Sequence, residues 1–484
     1  MNHHILQPTN VFISHFWGVL FSIVCCSASL FSAPLFAEES NPELDADEEI
    51  YLEDFQYLLD LDEGDIKPWQ VKLELENTLD DSAAWNSVGS FDYFGLFKTN
   101  DYFYASFQTD SVEDYYAVAG HYSMDPFKNA PLRIELDAIY TFDDEDTLFG
   151  PFLTNQEVES EEEVYQWIGN LLYNIQDTAA VSHAIYAGFD MTQSRIKGST
   201  QTRRGNVNVD ISIGHVGYRM ESLSIKHKTD VQKEFIQWGD ISLGRQIGTD
   251  DQPDILVSLG RGYQDGFRLM LWSYTAQWRT KAKNNKAHPS WHKEKAWSVT
   301  VMGQNSFDDP IPRYYQSSFS GQYGVRGYQP GLFQSDSHWI VRLEREIKVK
   351  GLQLKVFTDY GWFNIAPHPI QFTTSIEETP LLQQILLDQE RFILLERITS
   401  VTTSIRVEDD GNAWGAGIGF VFEFGNGFEL EGNVAAALKD LELNYPINVN
   451  IRTPNLKIAD DFSQSLTVAE QGDVNAFVRL SFSY

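Results

Sequence analysis

The last eleven residues, Val474-Asn475-Ala476-Phe477-Val478-Arg479-Leu480-Ser481-Phe482-Ser483-Tyr484, decide the fold class. Val474, Ala476, Val478, Leu480, Phe482 and Tyr484 share one parity and are all apolar or aromatic, whereas Asn475, Phe477, Arg479, Ser481 and Ser483 share the other. Successive residues of a strand point to opposite faces, so this segment reads as a strand whose apolar face runs unbroken to the final residue. A water-soluble domain has little reason to end on an exposed aromatic strand. A barrel wall standing in lipid requires such a face.

The same alternation recurs upstream. Trp69, Val71, Leu73 and Leu75 oppose Gln70, Lys72, Glu74 and Glu76, and Leu132, Ile134, Leu136, Ala138 and Tyr140 oppose Arg133, Glu135 and Asp137. Phe428, Leu430 and Val434 likewise oppose Glu429, Glu431 and Asn433. The second face carries too much charge for a buried core. A soluble β-sandwich also alternates, so periodicity alone does not separate the two architectures. Aromatic placement separates them: Trp69, Trp297, Trp339, Trp362, Trp414 and Tyr140 fall near expected strand ends on the apolar face, where membrane barrels carry their girdles. Past the N-terminus no apolar run is long enough for a membrane helix, and a mean hydropathy of −0.31 suits strands that are only half apolar.

From Trp69 onward the chain offers about fifteen or sixteen strands, which predicts an all-β fold, a transmembrane antiparallel barrel of about 16 strands over 69–484. Long polar stretches near 143–181, 364–411 and 439–473 are expected on the outer side. Met124-Asp125-Pro126, Lys348-Val349-Lys350 and Gly425-Asn426-Gly427 make tight inner turns, with a longer basic one near 279–295. Glu159, Glu161, Glu162 and Glu163 read as a helix in an outer loop without calcium-loop spacing, so no metal is expected.

At the other end, the apolar run Phe16-Trp17-Gly18-Val19-Leu20-Phe21-Ser22-Ile23-Val24 and the small residues up to Ala37 predict a signal peptide over 1–37. Cys25 and Cys26 are the only cysteines, so the remaining chain excludes disulfides, thiolate-bound zinc and cysteine nucleophiles. Residues 38–68 form a short acidic segment whose apolar spacing suits one amphipathic helix, a periplasmic arm or plug too small for a core of its own. A formal charge of −33 disfavours nucleic-acid binding and fits solvated loops. His183, His215 and His338 are scattered, and no Ser-His-acid set declares itself by spacing, so neither an enzyme nor a cofactor is expected.

The segment from Trp297 to Glu346 carries Val325-Arg326-Gly327-Tyr328 after the glycine-bearing approach Ser318-Phe319-Ser320-Gly321-Gln322-Tyr323-Gly324. This resembles the lumen loop of the Omp85 superfamily, and most closely its two-partner secretion transporters, the haemolysin activation and secretion proteins. Gly303-Gln304 and the strand from Trp339 to Glu344 resemble the flanking strands of that family. Phe357-Thr358-Asp359-Tyr360-Gly361 resembles its Phe-x-Asp-x-Gly signature. The resemblance implies a long loop folded into the lumen and an Arg326–Asp359 contact. The parity of the strand agrees, since Phe357, Asp359 and Gly361 lie opposite Leu354, Val356 and Tyr360. Gly415, Gly417 and Gly419 on a neighbouring strand leave room for a loop backbone. Glu344 is a second acidic partner on the lumen face.

The resemblance also implies outer-membrane lipid around the barrel and a terminal signal at Phe482 and Tyr484 for the barrel assembly machinery during biogenesis. Transporters of this family carry periplasmic POTRA domains that capture the client, and 38–68 is too short to be one. A POTRA-less barrel is therefore expected to translocate or insert a secreted polypeptide, recognised by the short arm or by a separate periplasmic partner. The alternative is a passive pore or structural barrel that keeps the loop motif for its own stability.

Overall fold

The fold is seen in a computed structural model. It describes residues 68–484 except 78–84, 97–100, 112–114, 128–129, 148–157, 179, 200–203, 229–230, 250–264, 283–293, 330–333, 350, 375–399, 426 and 454–455. The signal peptide and the acidic helical arm expected from the sequence lie outside the described residues, apart from Pro68 at the arm's end.

The first strands are β1 (Trp69–Asn77), β2 (Asn86–Phe94), β3 (Asp101–Ser111), β4 (Tyr115–Met124), β5 (Leu132–Thr147), β6 (Val158–Asp177) and β7 (Val181–Ser199). Next come β8 (Arg204–Lys228), β9 (Val231–Thr249), β10 (Arg268–Ala282), β11 (Glu294–Asn305), β12 (Ser317–Ser318), β13 (Gln334–Ser335) and β14 (Ser337–Val349). The last are β15 (Leu352–Thr374), β16 (Ser400–Gly425), β17 (Phe428–Ala437), β18 (Leu441–Thr453), β19 (Leu456–Ala469) and β20 (Val474–Ser483).

From β1 to β11 each strand pairs antiparallel with the next. The ladder continues from β11 through β14, β15, β16 and β17 to β20, which closes the ring on β1. Sixteen strands therefore form the wall. Closure leaves the wall no free edge, which lipid requires, because no water is there to satisfy an open row of N–H and C=O groups. The four remaining strands lie elsewhere. β12 and β13 are a short ladder inside the β11–β14 connection, and the β18–β19 hairpin pairs with the outer half of β16.

The outward parity carries exposed apolar side chains, among them Leu73, Leu75, Val356, Ile418, Val434, Val474, Leu480 and Tyr484. The terminal strand follows this rule, with Phe482 against Phe428 and Tyr484 against Trp69. The inward parity is polar and crowded. Glu135, Asp137, Asp190, Asp359 and Glu431 are buried there, because side chains and an inserted loop fill the lumen.

Three expectations need correction. Glu159–Glu163 lie not in a helix but in strand β6, opposite β7, where Glu161 faces Lys197 and Glu163 faces Arg195. Opposite charges across a ladder support the strand, and helical spacing offered those glutamates no counter-charge. For the same reason most of the polar stretch 143–181 is wall, with β6 running down to Asp177 and β7 returning from Val181. The described residues of the stretches 364–411 and 439–473 are also largely strand, since β15 and β16 continue past the apolar band and β18 and β19 pair beside them. This continuation leaves Trp362 and Trp414 in mid-strand rather than at strand ends.

Candidate functional site

The connection from β11 to β14 is folded into the lumen, and its foot is tied first. Gln304 at the end of β11 donates to the carbonyls of Tyr315 (2.9 Å) and Asp336 (3.1 Å) and accepts from Ser317 Oγ (2.7 Å). The fully buried Asp336 carboxylate accepts the backbone N–H of Ile311 at one oxygen (3.0 Å) and that of Ala366 at the other (2.9 Å). Tyr315 packs with Ile311, Phe267, Val209, Ile211 and Ile213, and its hydroxyl lies 2.9 Å from Thr192 Oγ1 across the lumen on β7. The foot thus grips β7 to β10 on one side and β14 and β15 on the other.

The tip is a tight turn. Val325 N–H donates to Phe319 O at 2.8 Å, Gly324 N–H to Gly321 O at 3.1 Å and Gly321 N–H to Val325 O at 3.2 Å. This turn presents Arg326 to the wall. Its Nε donates to Asp359 Oδ2 (2.6 Å) and its Nη2 to Asp359 Oδ1 (2.7 Å), while its backbone N–H also reaches Oδ2 (3.1 Å). The third arm, Nη1, lies 2.5 Å from Glu344 Oε1. The guanidinium sits 3.6 Å from the centroid of the Phe357 ring. Arg326 is 7% exposed and Asp359 0%, so this pair is charge-assisted, bidentate and shielded from water. Burial opposes the charge on Arg326, but the hydrogen bonds and charge of Asp359, with Glu344 behind it, outweigh burial and raise its pKa above the ordinary value.

Glycine makes the approach possible. A Cβ on Gly415 would stand 1.7 Å from Arg326 O, and one on Gly361 would press on Phe319 and Val325 at 2.7 and 2.8 Å. Gly327 has φ +101°, and a Cβ there would meet the Ala436 backbone at 2.6 Å. At Gly419 the nearest atoms are 3.1 Å away, and they belong to β17 and not to the loop. Of Gly415, Gly417 and Gly419 on β16, Gly415 is therefore the one that the loop tip requires.

Tyr328 completes the junction. Its ring is buried among Phe319, Val325, Ile340, Phe363, Ala413, Ala437 and Leu441. Its hydroxyl donates to Lys439 O (2.8 Å) and accepts from the Trp414 N–H (3.1 Å). Asn475 on β20 donates to Gly327 O (2.8 Å), and Asn433 on β17 donates to Gln322 Oε1 (3.0 Å). The structure thus brings Val325, Arg326, Gly327 and Tyr328 together with Glu344, Phe357, Asp359 and Gly361. Phe482 and Tyr484 lie apart, on the outer face at the barrel's inner rim.

Sequence reasoning missed three participants. Arg342 donates to Gln322 O (2.8 Å) and Gly324 O (2.5 Å); the parity it shares with Glu344 on β14 was the available signal. Asp336 and Asn475 are single polar residues in ordinary contexts, and no pattern marks them. Every arm of Arg326 is engaged with the wall, and no group of His, Cys, Asp and Glu that could hold a metal occurs among the described residues. The chemistry of this arrangement is that of a lock.

Residues 249–372, about a quarter of the chain, match the family model described as haemolysin secretion/activation protein ShlB/FhaC/HecB. The matched stretch contains Arg326, Glu344, Phe357, Asp359 and Gly361. Among solved structures, CdiB from Escherichia coli is similar over 87% of this chain and 63% of its own, at 12% identity and a TM-score of 0.52. CdiB from Acinetobacter baumannii is similar over 87% and 60%, at 12% identity and 0.49. BamA from Haemophilus ducreyi, in a form lacking POTRA domains 1–3, is similar over 87% and 71%, at 10% identity and 0.47. This chain therefore spans less than two thirds of the length of either CdiB. No curated protein matches the sequence.

Proposed function

We propose that this chain, an Omp85 barrel similar to the transporters of two-partner secretion, moves a secreted polypeptide across or into the bacterial outer membrane. The observation that carries this reading is the loop tip locked to the wall by Arg326, Asp359 and Glu344, within the segment that matches the secretion family. In this reading the lock is positional. It holds the loop in one register against β14 to β17. Phe482 and Tyr484 serve as the terminal signal that the assembly machinery reads during insertion, and lipid surrounds the apolar belt.

The wall beside the loop contains the ring closure, where among the described residues six register pairs, Lys72–Ser483 to Asn77–Val478, and the backbone hydrogen bonds of Val71 with Tyr484 join β1 to β20. A few strands along the same wall, β15 and β16 stay paired from Leu352–Phe422 to Thr374–Val401. A short ladder opens at smaller cost than a long one, so a client that leaves sideways is expected to use this seam.

The test compares secreted and outer-membrane proteomes of cells with and without the gene. Loss of one particular surface or secreted protein is the expected result. An unchanged inventory contradicts export and leaves the passive barrel, which the fully engaged loop would also stabilise.

A further inference from the structure

A second arginine stands beside the lock. Arg342 on β14 lies directly opposite Asp359 on β15, and its neighbour on the other side is Thr300 on β11. Thr300 is neutral, with its hydroxyl 2.9 Å from that of Thr275, so Asp359 is the anion that faces Arg342 across the ladder. No hydrogen bond joins the two. Nη2 of Arg342 is engaged with two loop carbonyls, Gln322 O and Gly324 O. Its Nε lies 4.0 Å from Asp359 Oδ2 and is buried with no hydrogen-bond partner among the described residues. An N–H···O bond needs about 2.7–3.2 Å, so a small turn of the side chain would make one.

Asp359 shows the complementary arrangement. It is fully buried, and every hydrogen bond it accepts among the described residues comes from Arg326, through Nε, Nη2 and the backbone N–H. Withdrawal of the loop tip therefore removes three donors from Asp359 and two acceptors from Arg342 in one step. A carboxylate held out of water without a counter-charge is among the costliest groups a fold can contain. Glu344, the other anion of the lock, is better placed, because its side chain is 23% exposed and can take water where Arg326 Nη1 was. Asp359 has no such outlet.

Arg342 and Asp359 belong to one hairpin of the wall, β14 and β15, which turns between Val349 and Leu352. They are neighbours whether or not the tip is seated. With the tip seated, two guanidinium groups compete for one carboxylate, and Arg326 holds it because it also brings a backbone N–H to Asp359 and has Glu344 as a second anion.

We infer that Arg342 is the reserve partner of Asp359. While the loop is seated it braces the tip through Gln322 and Gly324, and when the tip leaves it turns onto the carboxylate. The exchange keeps the buried charge paired in both states, so the lock opens without stranding an ion in the wall. Any use of that opening for export rests on the transport reading; the exchange itself does not.

The test measures what Arg342→Gln does with and without the seated tip. Unfolding rates in denaturant are compared for the purified full chain as parent, Arg326→Gln, Arg342→Gln, the double variant, and the double variant with Asp359→Asn. A reserve matters most once Arg326 is gone. Arg342→Gln should therefore accelerate unfolding by a factor at least tenfold larger in the Arg326→Gln background than in the parent chain. Asp359→Asn removes the charge that needs a partner and should return the double variant to within about threefold of Arg326→Gln alone. A residue that only braces the tip would do less in the Arg326→Gln background, where the tip is already released. If the double variant does not assemble, assembly becomes the readout, and Asp359→Asn should restore it.

An equal or smaller effect of Arg342→Gln in the Arg326→Gln background would overturn the proposal, as would a double variant that Asp359→Asn does not rescue. An exchange that holds while the proteome stays unchanged on loss of the gene sinks export alone, and the reverse pattern sinks the reserve role alone.

Discussion

The loop tip and the ring closure lie within one barrel quadrant and are held by different means. At the tip, a bidentate ion pair is buried beside a fully enclosed cluster of Phe319, Val325, Tyr328 and Phe363, and glycines let the backbones touch. At the closure, six residue pairs are supplemented by lumen-side charges that stay partly wet: Arg479 reaches Glu431 and Glu74, and Lys355 also holds Glu431. Charge in water is weakly held and charge out of water strongly. The molecule therefore fixes its inserted loop firmly and closes its wall, where β1 meets β20, through a short ladder.

The largest expected effect comes from Asp359→Ala, which leaves the buried Arg326 with Glu344 alone as its carboxylate partner and Arg342 beside it. Loss of the partner of a buried ion pair costs about 3–5 kcal/mol. Denaturant unfolding of the purified barrel measures it, and proteolysis of the loop should accelerate in parallel. Next comes Gly415→Ala, where the new methyl must displace Arg326 O. An overpacking cost of about 1–3 kcal/mol is expected, against little change for Gly419→Ala, whose nearest neighbours are ordinary wall atoms.

Tyr328→Phe keeps the ring in its cluster and removes the hydroxyl that bridges β16 and the β17–β18 connection, with an expected loss of about 1 kcal/mol in the same unfolding measurement. Arg479→Ala at the closure should cost least, below about 1 kcal/mol, because Lys355 still satisfies Glu431. A seam variant more damaging than the Asp359 variant would invert the comparison.

The wall and the tip differ in how far they could be read beforehand. Strand parity at Val474–Tyr484, Trp69–Glu76 and Phe428–Val434 reports a face directly, because a lipid-facing position tolerates little but apolar residues. The short motifs at Val325–Tyr328 and Phe357–Gly361 located the lock through family resemblance, and the parity of Asp359 and of the β16 glycines agreed. Long-range partners were another matter. Thr192 meets Tyr315 across the lumen, and Asp336 holds Ile311 and Ala366, yet each is a common residue whose partner is set by closure of the ring. The acidic run at Glu159–Glu163 misled for the same reason. Its counter-charges lie on β7, and only the ladder shows them facing it.

The central claim is that Arg326 and Asp359 act as one unit to hold the loop. A double-mutant cycle with Arg326→Gln and Asp359→Asn, read by denaturant unfolding of the purified barrel and by rate of loop proteolysis, tests it most directly. If the pair is a lock, the double variant is little worse than either single one, with a coupling of about 1–3 kcal/mol. Additive losses, with a loop no more open in the double variant than in the parent chain, would contradict it.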